Sequence, residues 1–211
     1  APHAHAIHLD PAGQRAFVAD LGLDRLAAYR FDAQGGTLAA EDAATVRLKP
    51  GAGPRHFAFH DGGRLLYVLN ELDSTVTALR RDGAAAAFAP LQSLSTLPPG
   101  FAAANLPAEV AVRPDGRFLY ASNRGHDSIA IFAIDPAAGT LAPAGHQSTR
   151  GQWPRHFAID PTGAYLLAAN QRSDSIVVFR IDGTTGGLTP VGEPFRVPAP
   201  VCVRMLAPTP D

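Results

Sequence analysis

The feature that most constrains this chain is that it repeats itself. The turns DPAG (10–13), HDGG (60–63), RPDG (113–116) and DPTG (160–163) return at intervals of 50, 53 and 47 residues. An apolar run follows each turn and ends in Asp20, Asn70, Asn123 or Asn170. Six residues beyond those positions, Leu26, Val76, Ile129 or Ile176 opens another apolar run. The second and fourth copies read closely alike: PRHFAFHDGGRLLYVLNE starts at Pro54 and PRHFAIDPTGAYLLAANQ at Pro154. Four registers agreeing at several positions each make this a repeat protein, whose units bury their apolar faces against one another.

Each repeat predicts four short strands. In the second they are Arg55–Phe59, Leu65–Asn70, Val76–Leu79 and Leu91–Leu94, divided by Gly, Pro and Asp turns. Helix is disfavoured, because no long window keeps apolar residues at i, i+3, i+4 and i+7. The Ala-rich run 83–87 is too short for a helix of its own and reads as a connection. Four-stranded units with a period near 50 fit propeller blades, whereas a sandwich has no reason to repeat. The expectation is therefore one all-β domain over 1–211, a partial β-propeller of four-stranded antiparallel blades. Its repeats fall at approximately 4–50, 51–103, 104–150 and 151–199, with one closing strand at 200–206. The Pro-rich segment 97–107 interrupts the rhythm and reads either as a lid or as a crossover.

Composition narrows the partners. A net charge of −1 argues against nucleic acid and acidic membranes. No apolar run approaches the ~20 residues that cross a bilayer. The single cysteine, Cys202, excludes an internal disulfide and fits a reducing, cytoplasmic compartment. The first residues lack the features of a signal peptide, start without Met and begin inside a repeat, so an N-terminal cut is expected. Open blade edges then predict self-association or closure into a smaller ring.

Hairpin geometry locates the polar residues. Antiparallel pairing about Asp61 and Gly62 sets Arg55 opposite residues 68–70, so the start of each first strand and the end of each second strand share a rim. There the chain carries His5 with Asp20; Arg55 and His56 with Asn70 and Glu71; Glu109 with Asn123 and Arg124; and Arg155 and His156 with Asn170 and Gln171. In a propeller such rims converge on one axial mouth, and a mixed cluster of this kind suits acid–base work on an anionic substrate. The repeated Asn/Asp positions suit turn capping, as do the Asp127-Ser128 and Asp174-Ser175 pairs. Glu71 and Arg124 occupy one slot yet differ from each other and from Leu21 and Gln171, which favours function. His3, His5 and His8 fail as a metal set, because His8 falls on the other strand face and nothing completes a tetrahedron. No nucleotide-binding or Ser-nucleophile motif is present, so no cofactor is expected and activated water is the reading.

The stretches PHAH at 2–5, VADLGLDRL at 18–26, GAGPRHF at 51–57, YASNRGHDSI at 120–129 and PVCVR at 200–204 resemble the lactonase family of seven-bladed β-propellers. That family includes the cycloisomerase-type 6-phosphogluconolactonases and is similar to fungal carboxymuconate-lactonizing enzymes. The resemblance implies the last four blades plus a closing strand, with about three N-terminal blades absent. It implies catalytic roles for His5 (or His3), Arg55, Glu71 and Arg124, and Glu109 matches an acidic position common in the family; the shared rim adds His3, His56, Asn70, Glu109, Asn123, Arg155 and His156 around the substrate. Ala111 stands where the family often has His. The implied activity is hydrolysis of a sugar lactone, 6-phosphogluconolactone foremost. The alternatives are a muconate-type lactonizing cycloisomerase and a non-catalytic binding platform.

Overall fold

The computed structural model describes residues 1–81 and 87–205. It is built almost entirely of strands, gathered into four sheets that each run antiparallel in chain order. Blade one holds β1 (Ala4–Leu9), β2 (Arg15–Asp20), β3 (Arg25–Asp32), β4 (Thr37–Ala40) and β5 (Val46–Arg47). Blade two holds β6 (Pro54–His60), β7 (Leu65–Asn70), β8 (Thr75–Arg80) and β9 (Ala89–Ser95). Blade three holds β10 (Leu106–Val112), β11 (Phe118–Arg124), β12 (Ser128–Ile134) and β13 (Leu141–Ser148). Blade four holds β14 (Pro154–Ile159), β15 (Tyr165–Asn170), β16 (Ser175–Ile181) and β17 (Leu188–Arg196).

Two details depart from the sequence reading. The outer strand of blade one is broken: β4 and β5 both pair with β3, and a 3₁₀ turn at Asp42–Ala44 lies between them. The closing strand expected over 200–206 is not formed, since residues 200–205 have no strand conformation and 206 lies outside the described residues. A strand exists only through a ladder partner. This segment instead passes β14, where the Val203 amide donates to His156 Nδ1 at 3.4 Å. Of the Ala-rich connection, 83–86 also lies outside the described residues.

The chain divides into two compact units: residues 1–96 with 137–141, and residues 97–136 with 142–211. In the first, blades one and two face each other across an apolar interior of Phe17, Leu26 and Val46 against Phe57, Leu66, Val68, Leu79 and Phe88. Phe17 meets Phe59 and Phe88 edge-on, with ring centroids 5.6 and 6.0 Å apart. In the second, Phe118, Tyr120 and Ile131 of blade three pack on Phe157, Leu166, Val177 and Phe179 of blade four. Alternate residues of each inner strand supply these faces, as a period of two requires.

The repeat is also a repeat of hydrogen bonds. Asp24, Ser74, Asp127 and Asp174 end equivalent turns, all with positive φ near 50°. The three aspartates then accept amides from the link to the next first strand: Asp24 from Gly51 and Gly53, Asp127 from Trp153, and Asp174 from Ala199, each at 2.8 Å. This confirms the turn-chemistry reading of Asp127 and Asp174 and extends it, because each carboxylate also fixes how the next first strand begins. The 97–107 segment is docked on blade three. Phe101 packs edge-on to His126 at 4.8 Å, and Asn105 bonds both Asn123 and the His126 amide.

Candidate active site

Every first strand carries a β-bulge at the same place. Register slips between Ala4 and Ala6, Pro54 and His56, Pro107 and Val110, and Pro154 and His156. The bulged residues of blades one, two and four are therefore His5, Arg55 and Arg155, three residues singled out from sequence. A bulge leaves its extra residue outside the ladder and re-aims that side chain, which is why bulges recur beside active sites. The proline or alanine before the bulge sits opposite Asp20, Asn70, Asn123 or Asn170 in every blade.

In the first unit the bulge delivers Arg55 to Glu71, Nε to Oε2 at 2.7 Å. The two side chains differ in access: Arg55 is 4% exposed and Glu71 17%. The guanidinium is thus the inner partner, and the carboxylate is what a ligand arriving from solvent meets. A buried cation must be paired to be tolerated, so Arg55 and Glu71 fix each other's geometry. His5 lies in the equivalent bulge of blade one, exposed, with its ring 5.1 Å from His56. His3 is exposed, and its amide donates to Asp20 Oδ1 at 2.8 Å.

In the second unit the slot after the bulge matters more. Glu109 and His156 both occupy it, and His156 Nε2 lies 3.0 Å from Glu109 Oε2 with both side chains about nine-tenths buried. With Nδ1 accepting from Val203, the imidazole presents its Nε2 proton to the carboxylate. Arg155, the bulged residue of this blade, is half-buried. Arg124 is 4% exposed and gives Nε to Leu106 O at 2.9 Å and Nη2 to Pro107 O at 3.3 Å. Its guanidinium also lies 5.5 Å from the Trp153 ring, whose other neighbour is Arg172 at 3.5 Å. A guanidinium so engaged holds the start of β10.

The repeated asparagines are interior. Asn70 donates to Thr75 Oγ1 and Thr77 Oγ1 at 2.9 and 3.0 Å, and Asn123 bonds Asn105 and Ser128. They are 1% and 0% exposed, so both serve their own blades first. Sequence reasoning passed over Trp153, which takes φ 64° where blade two has Gly53 at φ 66°. A bulky residue in the left-handed region is a strained position, held here by two arginines and the Asp127 carboxylate. Comparing position 153 with the Gly53 slot was the available signal. Among the described residues, no three His, Cys, Asp or Glu side chains come together as a metal-ligand group.

A family model described as "Lactonase, 7-bladed beta-propeller" matches residues 1–205. The chain belongs to that family. It is 39% identical over 154 residues to the 6-phosphogluconolactonase of Bacillus subtilis (strain 168), covering 73% of this chain and 43% of that protein. Among solved structures it superposes on a protein from Lactobacillus plantarum with a TM-score of 0.92 at 34% identity, covering 98% of this chain and 59% of that one. The periplasmic gluconolactonase of Pseudomonas aeruginosa gives 0.90 at 36%, covering 98% and 57%. This lactonase-family chain thus spans less than half the length of the B. subtilis relative and somewhat over half of those solved chains.

Proposed function

We propose that this lactonase-family protein hydrolyses the lactone of a sugar acid, with 6-phosphogluconolactone as the leading substrate. The observation that carries the reading is the Arg55–Glu71 pair, a buried guanidinium anchoring a more exposed carboxylate beside a β-bulge. In the proposed reaction Glu71 accepts a proton from water as the water oxygen attacks the lactone carbonyl carbon. The tetrahedral intermediate collapses with cleavage of the ring C–O bond. His5, exposed and neighboured by His56, donates a proton to the departing alkoxide, and the product is the open hydroxy acid. Arg55 holds Glu71 in place throughout, and Glu109 with His156 forms a separate carboxylate–imidazole couple in the second unit.

Glu71→Gln is expected to lower kcat for lactone opening by ~10² or more, as loss of a general base does. Arg55→Lys, which keeps the charge but not the planar fork, should fall between wild type and Arg55→Ala. Rates near wild type in Glu71→Gln and Arg55→Ala together overturn the reading. Inhibition by 6-phosphogluconate but not by muconates separates lactone opening from muconate lactonization, and the lactonase names of the B. subtilis and P. aeruginosa relatives support the former. A cytoplasmic address is proposed on the single cysteine alone, and fractionation tests it.

A further inference from the structure

The faces that blades one and two turn toward each other are apolar along most of their length, but at one end the pattern changes. The third residue pair counted from the Asp/Asn end of each second strand places Ala27, Thr77, Ala130 and Val177 at one equivalent position on the third strand. Three blades keep that position apolar and blade two alone sets a hydroxyl there. Thr77 Oγ1 accepts from Asn70 Nδ2 at 3.0 Å and lies 3.3 Å from Ser93 Oγ, so a polar row crosses β7, β8 and β9. Asn70 Oδ1, at the inner end of the row, is buried and accepts no hydrogen bond from the described residues.

A cavity of about 350 Å³ opens on this row. The link out of blade one forms one wall with Arg47, Lys49 and Ala52, while Asn70, Thr77 and Ser93 form the other. Arg47 and Lys49 are exposed at its mouth, and neither Arg55 nor Glu71 lines it. The one lining carboxylate, Asp73, accepts the Thr75 hydroxyl at 2.7 Å. Gln92 is a fixed wall, since its amide exchanges two hydrogen bonds with the backbone of Leu141. The site therefore offers the Thr77 and Ser93 hydroxyls beside apolar Leu48, Pro90 and Leu91, with an excess of positive charge outside, in a volume within the range of small-molecule pockets.

We propose that this cavity is a second ligand site, binding a small polyhydroxylated anion. The ligand's hydroxyls meet Thr77 and Ser93, and its carboxylate or phosphate meets Arg47 and Lys49. The assignment rests on blade two's departure from its own repeat and stands apart from the lactone reading. Calorimetric titration of the protein with gluconate, glucose 6-phosphate, inorganic phosphate and uncharged glucose tests it.

Saturable binding of gluconate or glucose 6-phosphate is expected, at least about tenfold tighter than glucose or inorganic phosphate, and which of the two binds tighter identifies the anionic group. Thr77→Val restores the residue blade four carries as Val177, so it is expected to fold while weakening binding about tenfold or more. Ser93→Ala is expected to weaken binding as well, and Arg47→Gln with Lys49→Gln should remove the preference for anions. Glu71→Gln should leave this binding unchanged, which separates it from the proposed active site. No saturable binding, equal affinity in wild type and Thr77→Val, or binding lost in Glu71→Gln but kept in Thr77→Val overturns the proposal.

Discussion

At the scale of single residues, departures from the repeat carry most of the information. Arg55 and Glu71 were legible because both are charged where a blade needs no charge, and the structure pairs them at 2.7 Å. Thr77 was not legible, because threonine is an ordinary strand residue until its register is known. His126 gives a prediction at this scale. Burial first, and His146 second, hold its imidazole below the ordinary range, with Asp127 opposing. Its Nδ1 lies 2.6 Å from Ser128 Oγ. Because the folded value lies below the unfolded one near 6.5, the unfolded chain takes up the proton first as pH falls. Stability is therefore full above that value and drops as pH descends through the lowered one, and His60, also lowered by burial, acts with the same sign. The Tm is expected to fall between pH about 7.5 and about 5.5, with a shallower fall in His126→Gln, whose His60 share persists. An unchanged slope in the variant would show that His126 is not the linked group.

At the scale of elements, strands and turns were legible and bulges were not. Period-two alternation and Gly/Asp turns fix where β6 and β7 begin and end, whereas a single extra residue in a ladder shows only against its partner strand. Latches between elements were equally hidden. The buried Tyr67 hydroxyl donates to Gly139 O at 3.0 Å, and Tyr120 does the same to Gly186 O at 2.9 Å, so one device recurs in two blades. Gly139 has φ 73°, and a Cβ there would clash with the Leu65 side chain. Gly139→Ala should therefore cost about 1–3 kcal/mol from backbone strain and overpacking together. Thermal denaturation checks this, with a fall of about 2–4 °C expected per kcal/mol. A Tm within error of wild type would mean that the turn relaxes freely.

At the scale of the whole molecule, two blade surfaces carry exposed apolar residues. On β1, Ile7 and Leu9 are 57% and 48% exposed, and on β17 Phe195 is 62% exposed. We predict concentration-dependent self-association in sedimentation velocity, relieved by Ile7→Lys with Leu9→Lys; a single monomeric species at every concentration counts against it. By itself the sequence determined that the chain is four copies of a four-stranded unit. Turn residues and the two-residue strand period are local properties that any reader of the chain can count. Only the tertiary structure decided which polar residues meet: Arg55 with Glu71, Glu109 with His156, Arg124 with backbone carbonyls, and Thr77 with a cavity. The physical reason is that these partners lie on different strands. Ladder register and sheet-on-sheet packing set their distances, and neither is written in the neighbourhood of any one residue.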